Sequence, residues 1–398
     1  YTTRMLRPLY PALLTLLLLV PGCGRPLMVT PTIFADGGID PFFELSDEQR
    51  VSQQTVFYAT DRLEDHPGWG NYGRGQSNTL DLGLCTVEFN GPDNWETLEQ
   101  LGYGENTSLP EVQVKATLRM GDLYTTRRNI GGQVGSASPD EVSRVFLDQL
   151  NTALAESSHN EITIYIHGFK NGFHEAVKTS GEYAHYAGNQ GVFICYSWPS
   201  YNSLFEYSHD REAARFTGTH LRQFVTFLAE HSDATKINFI AHSTGCQVVG
   251  TLIRELRLLT HDLPAEEARE RYRIGQVFMV APDIDSGVAR ERFLEEGAAD
   301  LCEHLTIYSS RSDYALGYAS RYLYRAPRLG MLRDDAIEEQ DVMWLLSLDN
   351  LTVINIDRRP THTFIGHTHQ RYNPAVSSDI LLMLRRELTP TQRALVHL

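Results

Sequence analysis

A serine stands on a turn of small residues between an apolar run and a helical pattern. The run Ile237 to Ile240 leads into 241–245, Ala-His-Ser-Thr-Gly, after which valine, leucine and isoleucine recur at helical spacing. A strand, a tight turn and a helix expose the serine hydroxyl and point the helix N-terminus at a reacting oxygen. Ser243 is therefore a candidate nucleophile. The alternative is an ordinary serine that caps the helix from Thr244 onward.

A second turn contains residues suited to stabilising an oxyanion. His167-Gly168-Phe169 follows the predicted strand Ile162 to Ile166, two strands before the serine strand in chain order. The backbone N–H groups near Phe169 and at Thr244 would form a pair of preorganised donors for developing negative charge. The alternative is a loop glycine beside a structural histidine.

Three aspartates follow strand ends downstream of the serine and compete to orient a catalytic histidine. Asp283 and Asp285 follow the first predicted strand after Ser243, and Asp313 follows the second. In the chain order Ser, Asp, His, an acid after the second strand can reach the outer nitrogen of the histidine. This favours Asp313, with Asp283 as the alternative acid. Asp283 and Asp285 are also suited to capping the helix that follows them.

A histidine-rich loop near the C-terminus contains a candidate general base. His367 follows a glycine after the last predicted strand, and His362 and His369 are close by. With the serine and the acid above, His367 would complete a triad that cleaves ester or related acyl bonds and needs no cofactor. Asp357 and these histidines form an alternative metal cluster, but their spacings match no common zinc pattern, so we predict no metal site.

Alternating strand and helix patterns must position these groups. From residue 139 onward, continuous apolar runs alternate with helical patterns, which indicates a mostly parallel sheet with helices on both faces. Residues 51–130 are β-rich and begin with an alternating strand pattern at 54–62, so we expect an N-terminal extension of the sheet. The predicted strands of the parallel part are 162–166, 192–198, 237–240, 277–281, 305–308 and 353–356.

Six segments together resemble a bacterial α/β-hydrolase family of uncharacterised function. In chain order they are 58–62 (YATDR), 166–169 (IHGF), 196–200 (YSWPS), 241–245 (AHSTG), 281–285 (APDID) and 366–367 (GH). Several segments in one order are more specific than any single motif. The resemblance spans roughly residues 54–385 and implies an α/β-hydrolase fold with an esterase-like or lipase-like activity on a small-molecule or lipid-like acyl substrate. We predict that the catalytic domain covers residues 131–398. It leaves the substrate itself open.

The first 22 residues have the pattern of a secretory signal. Arg4 and Arg7 precede an apolar run, and a proline and a glycine precede Cys23. This resembles the lipobox of bacterial lipoproteins, so we expect Cys23 to be lipidated and to anchor the protein to a membrane of the cell envelope. Secretion in soluble form is the alternative. Residues 23–50, rich in proline, glycine and acidic side chains, are predicted to be a linker.

The chain is acidic and poor in cysteine. Its 50 Asp and Glu residues outnumber its 35 Lys and Arg residues, for a net charge of -15, and losing the two arginines of residues 1–22 would make it -17. Because no basic stripe is present, we predict no nucleic-acid partner. Four scattered cysteines follow Cys23 and form no disulfide framework: Cys85, Cys195, Cys246 and Cys302. Cys195 and Cys246 lie inside apolar runs and suit core positions, with an occasional bridge left open.

Two other functions are compatible with the same fold. A binding or scaffolding protein could retain the hydrolase architecture without its activity, because a fold does not determine a chemistry. A transacylase of the cell envelope would use the same nucleophile with an acceptor other than water. A fluorophosphonate should label a hydrolase but not an inactive binding protein. A transacylase is distinguished from a hydrolase by an acyl acceptor other than water.

Overall fold

One mixed sheet runs through the part of the chain that the structure describes. This computed structural model describes residues 18–19, 25–31, 42–43, 45–66, 70–90, 95–102, 110–123, 141–201, 207–331, 348–356, 367–386 and 393. The strands are β1 Leu18–Leu19, β2 Arg25–Pro26, β3 Gln53–Glu64, β4 Tyr72–Asn90, β5 Glu111–Leu123, β6 Glu161–Ile166, β7 Val192–Ser197, β8 Lys236–His242, β9 Ile274–Val280, β10 His304–Ser309 and β11 Leu351–Asn355.

Helices follow most of the parallel strands. They are α1 Trp95–Gly102, α2 Glu141–Glu156, α3 Phe173–Tyr186, α4 Tyr207–His231, α5 Gly245–Leu259, α6 Ala265–Tyr272, α7 Ser286–Ala289, α8 Tyr314–Tyr318, α9 His369–Tyr372 and α10 Pro374–Arg386. Two π-helical turns, Arg290–Glu295 and Ala319–Tyr324, continue α7 and α8. Among the described helices, none is both long and apolar enough to cross a membrane.

The two faces of the sheet carry separate hydrophobic cores. Side chains of α2, α4 and α5 pack on one face, and side chains of α3 and α10 pack on the other. In α2 the buried residues Phe146, Leu150 and Leu154 recur every four positions, the spacing that places side chains on one helical face. Val145 is 44% exposed, because it lies one position away from the buried row.

Sheet order brings the predicted turns together. The strands are ordered β1-β5-β4-β3-β7-β6-β8-β9-β10-β11, with β2 beside β5. From β3 to β11 neighbouring strands are parallel, whereas β3, β4 and β5 pair antiparallel as the N-terminal extension. Although β6 precedes β8 by two strands in the chain, it lies next to β8 in the sheet. The carboxyl ends of β6, β8, β9 and β10 therefore meet at one edge, where doubly wound sheets bind ligands.

Part of the predicted linker is folded onto the body. Leu27 and Met28 are buried, and Glu182 of α3 accepts hydrogen bonds from Arg25 (2.8 Å), from the backbone of Met28 (2.8 Å) and from Arg371 (3.0 Å). Residues 25–31 are therefore packed against the folded domain and do not form the predicted linker, because Leu27 and Met28 are buried and Arg25 binds Glu182. Cys23 lies outside the described residues.

The described cysteines are core residues. Cys85, Cys195, Cys246 and Cys302 are buried and carry free thiols. Burial raises the pKa of the Cys302 thiol to about 12, with smaller effects of Arg269 and Asp300. A thiol held protonated in this way is a poor nucleophile, which fits a packing role.

Candidate active site

Ser243 lies on a sharp turn between β8 and α5. Its φ angle of 52° falls in the left-handed region, which residues with side chains rarely adopt, so surrounding contacts must hold the turn. The Ser243 N–H donates to Val280 (2.9 Å), and its carbonyl oxygen accepts from Cys246 (3.0 Å). A Cβ atom at Gly245 would lie 2.5 Å from the carbonyl oxygen of His167, which explains the small residue at this position.

The structure brings Ser243, His367 and Asp313 together from three different strand ends. The Nε2 atom of His367 is 2.7 Å from Ser243 Oγ, and its Nδ1 atom is 2.7 Å from Asp313 Oδ2. Because a carboxylate can only accept a hydrogen bond, Nδ1 carries the ring proton, and Nε2 is left to take the serine proton. The other carboxylate oxygen of Asp313 accepts from the Leu316 N–H (3.0 Å) at the start of α8, which fixes the carboxylate in place.

The surroundings of His367 stabilise its protonated form. Burial lowers the pKa of the imidazole, whereas the charge and the hydrogen bond of Asp313 and the charge of Asp283 raise it. The net result is a pKa above the ordinary value of 6.5. A base that holds the serine proton during the reaction gains from this preference.

Asp283, the alternative acid, faces an arginine. Its Oδ1 atom is 3.0 Å from Arg328 Nε, and the two residues are only 2% and 3% exposed. The carboxylate that contacts His367 Nδ1 is that of Asp313. Asp285 caps α7 by accepting from the Val288 N–H (3.0 Å).

The turn after β6 lies directly against the nucleophile. A Cβ atom at Gly168 would lie 2.9 Å from Ser243 Cβ and 3.0 Å from the His242 carbonyl oxygen, so only glycine allows this approach. In the chain, Phe169 follows Gly168 and Thr244 follows Ser243, so each proposed donor is next to one partner of the Gly168–Ser243 contact. The role of their N–H groups as oxyanion donors stays a prediction.

Arg62, at the end of β3, binds three segments around that turn. It is 1% exposed, and it donates from Nε to Ser197 Oγ (2.8 Å), from Nη1 to the Gly73 carbonyl (3.0 Å) and from Nη2 to the Asn171 carbonyl (2.7 Å). A guanidinium can serve several acceptors at once because its five N–H groups form a rigid fork. In the sequence, Arg62 stands out only as part of the family segment 58–62. Its one local signal is a charge near the end of a strand of buried residues.

His167 is a structural histidine. Its Nε2 atom is 3.2 Å from Arg62 Nη2, and its Nδ1 atom is 2.8 Å from the Gly168 carbonyl. Nε2 also lies 3.1 Å from the Trp198 carbonyl, but arginine can only donate, so the Arg62 contact favours a neutral ring with its proton on Nδ1. Burial and the charge of Arg62 lower the His167 pKa to about 3. The ring stacks on Trp198 at 5.0 Å, which supports the structural interpretation of this histidine.

The remaining members of the alternative metal cluster are only partly described. Asp357 and His362 lie outside the described residues. His367 is engaged with Ser243 and Asp313. Within the described residues, no group of three or more potential ligands is arranged to hold a metal ion.

Comparison with known proteins identifies a family. A family model described as "Alpha/beta hydrolase of unknown function (DUF900)" matches residues 144–386, more than half of the chain. Among solved structures, "the putative cell surface hydrolase from Lactobacillus plantarum WCFS1" is similar at 14% identity and a TM-score of 0.31, over 63% of this chain and 90% of that chain. No curated protein matches the chain.

Proposed function

Because this chain belongs to the family of α/β-hydrolases of unknown function (DUF900), we propose that it is a serine hydrolase that cleaves an ester or related acyl bond. The observation that carries this proposal is the pair of 2.7 Å contacts that join His367 to Ser243 and to Asp313. The left-handed backbone of Ser243 also supports it, since strain of this kind is typical of a nucleophile turn.

The first half of the proposed reaction forms an acyl-enzyme. Ser243 Oγ attacks the acyl carbonyl carbon while its proton passes to His367 Nε2. The carbonyl oxygen becomes an oxyanion, for which the N–H groups of Phe169 and Thr244 are the proposed donors. The bond to the leaving oxygen then breaks, and His367 returns the proton to the departing alcohol.

The second half releases the acid. Water attacks the acyl-enzyme carbonyl and gives a proton to His367 Nε2, a second tetrahedral intermediate forms, and the Ser243 oxygen leaves with that proton. Asp313 keeps its charge throughout and holds the imidazole in the tautomer that can accept from oxygen. A transacylase would replace this water with another acceptor. The substrate is proposed to be a small-molecule or lipid-like acyl compound.

A fluorophosphonate probe tests the nucleophile directly. Wild-type protein should become labelled, and Ser243→Ala should not, because the probe phosphonylates an activated serine. Ser378→Ala is the matched control, since Ser378 on α10 is similarly buried and its hydroxyl donates to the Pro374 carbonyl (2.6 Å). Ser243→Ala should change the thermal midpoint little, because losing one hydroxyl leaves no cavity. Labelling of Ser243→Ala would contradict the proposal, and an unlabelled wild type would favour a binding protein.

We also propose that the protein works at the cell envelope, anchored through a lipid on Cys23. The basis is the arginine-led apolar run of residues 1–22 and the small residue before the cysteine. Secretion without a lipid is the competing outcome.

A further inference from the structure

A pocket at the carboxyl edge of the sheet is rich in arginine. Its volume is about 180 Å³, and its walls come from the first turns of α4 and α5, from α7 and from the π-helical turn after it. Its polar lining consists chiefly of Arg211, Arg215, Gln247, Asp285, Arg292 and Arg328. Among the described lining residues there are four arginines and one carboxylate, which calls for a physical explanation in a chain of net charge -15.

Contacts join this pocket to the nucleophile turn. Gln247, one helical turn after Ser243, donates from Nε2 to the Asp283 carbonyl at 2.5 Å. The Asp283 N–H in turn donates to the Ser243 carbonyl at 3.2 Å. The Asp283 carboxylate lies 3.0 Å from Arg328 Nε. Hydrogen bonds through Asp283 therefore connect the pocket wall to the nucleophile turn.

Two of the four arginines have a carboxylate partner, because Arg215 lies 2.5 Å from Glu212 and Arg328 lies 3.0 Å from Asp283. Within the described part of the chain, no carboxylate lies within ion-pair distance of Arg211 or Arg292. Arg328 is 3% exposed, and its Nη2 atom is buried without a hydrogen-bond partner among the described residues. Asp285, the acidic residue among the described lining residues, caps α7 by accepting from the Val288 N–H. Buried donors without acceptors cost free energy, which a bound anion would recover.

An aromatic ring holds two of these arginines. The guanidinium carbon of Arg328 lies 3.6 Å from the Tyr324 ring centre, and that of Arg211 lies 4.6 Å from it. A cation–π contact positions a guanidinium without using its N–H donors. Tyr324 and Arg292 both lie on π-helical turns, which are frequent at functional sites.

We propose that this arginine pocket binds an anionic group, a phosphate or a carboxylate, that the ester substrate carries. Guanidinium groups suit both oxyanions because their paired N–H groups match two oxygens at once. The inference rests on the proposed function and deepens it, since it assigns anionic acyl esters as the substrate class. An acidic protein repels such substrates at long range, so a local cluster of arginines is needed to bind them.

Anion binding is tested first, without reference to catalysis. Inorganic phosphate should raise the thermal midpoint of the wild-type chain and give a calorimetric binding signal. Arg292→Gln and Arg211→Gln should each weaken this binding by about tenfold or more, the usual effect of losing charge-assisted hydrogen bonds. Arg222→Gln is the matched control, because Arg222 also lies on α4 but pairs with Glu255 at 2.8 Å outside the pocket. Equal phosphate binding by all four proteins, or none by the wild type, would overturn the anion site.

The substrate class is tested with matched esters. One pair is p-nitrophenyl hexanoate and the mono-p-nitrophenyl ester of adipic acid, and the other is hexanoylglycerol and hexanoylglycerol phosphate. The wild type should have the higher kcat/KM for an anionic member, and which pair shows the preference distinguishes carboxylate from phosphate. Arg292→Gln should reduce the anionic-to-neutral ratio about tenfold, while Arg222→Gln leaves it unchanged.

The outcomes separate the two proposals. Hydrolysis of both members at equal rates, together with arginine-dependent phosphate binding, would overturn the substrate assignment and leave the hydrolase standing. Phosphate binding with no hydrolysis of any ester would support the anion site while the proposed serine hydrolase fails.

Discussion

Arg62 Nη2 lies 2.7 Å from the Asn171 carbonyl and 3.2 Å from His167 Nε2, so one guanidinium joins both ends of the turn after β6. The middle of that turn is Gly168, whose backbone approaches Ser243 closely. A buried cation would be costly here without these acceptors. Arg62 is therefore a positioning residue for the turn that carries a proposed oxyanion donor.

Replacing Arg62 with lysine should lower kcat more than it changes KM. Lysine keeps the charge but cannot serve Ser197, Asn171 and His167 at once, so the turn should shift relative to Ser243. Small misplacements at a reacting centre cost about ten- to hundredfold in rate. The measurement is steady-state hydrolysis of a short p-nitrophenyl ester, with Arg222→Lys as the control. A lower thermal midpoint with unchanged kcat would show that Arg62 has a structural role only.

Asp313→Asn and Asp283→Asn should have opposite effects. Asp313→Asn should reduce turnover by about 10⁴-fold with little change in stability, because His367 would take the wrong tautomer. Asp283→Asn should leave most turnover but lower the free energy of unfolding by about 3 kcal/mol, since buried Arg328 would lose its charged partner. Steady-state kinetics and chemical denaturation of both variants check this. Greater loss of turnover in Asp283→Asn would move the acid to the earlier strand end.

The pH profile should report His367. The imidazole must be neutral to accept the serine proton, so kcat/KM should fall as the pH drops through a pKa that is raised above 6.5. Because Asp313 supplies the main upward effects on that pKa, the acid limb of the remaining activity in Asp313→Asn should move to lower pH. An acid limb that stays at the same pH in the variant would assign the titration to another group.

His185 should limit stability in acid. Its ring lies 5.1 Å from Phe42 and 5.0 Å from Phe89, and neither ring nitrogen has a hydrogen-bond partner among the described residues. Burial lowers the His185 pKa to about 3 from 6.5. Below pH 6.5 the unfolded chain therefore binds a proton that the folded chain does not, and stability falls as the pH drops toward 3.

Substituting phenylalanine for His185 should remove this loss. The ring keeps its aromatic neighbours, and the unpartnered nitrogens disappear, which should raise the free energy of unfolding by about 1 to 3 kcal/mol. The decrease in thermal midpoint on going from neutral to acidic buffer should become smaller. His231→Phe, a partly exposed site on α4, should show neither change. A His185→Phe protein as acid-sensitive as the wild type would contradict the assignment.

Cys23→Ser tests the proposed anchor. The wild-type protein should fractionate with membranes and gain the mass of a lipid on its N-terminal peptide, whereas the variant should be released. Cys85→Ser serves as the control for loss of a cysteine, because Cys85 is a buried core thiol. If wild type and variant are both released and carry no lipid, the protein is secreted in soluble form.

Sequence patterns predict the strands well but not their neighbours. The apolar runs at 162–166, 237–240 and 305–308 each lie within an observed strand, since burial on both faces leaves little choice of residue type. Chain order cannot reveal that β6 lies beside β8, because the order of strands in a sheet is set by crossovers. The adjacency that brings Gly168 to Ser243 therefore emerges only in the folded structure.

The choice between two acids also depended on tertiary contacts. Asp283 and Asp313 both follow strand ends, and in the sequence only the order of the strands favours Asp313. What separates them is Arg328, which lies 45 residues after Asp283 and pairs with it. A contact between distant residues also explains why part of the predicted linker is folded. The Met28 N–H donates to Glu182, which lies 154 residues away in the chain.

Glu182 also sets how far the protein could extend from an anchor. It fixes Arg25 and Met28 to the body, and Gly24 alone separates Arg25 from Cys23. Each extended residue spans at most about 3.6 Å, so a lipid on Cys23 would lie within about 7 Å of folded protein. An anchored enzyme would then have almost no flexible linker between its lipid and its folded domain. The distance of its active site from the membrane would be set by the size of the folded domain. The esters it could reach would be those at the surface of the membrane that anchors it.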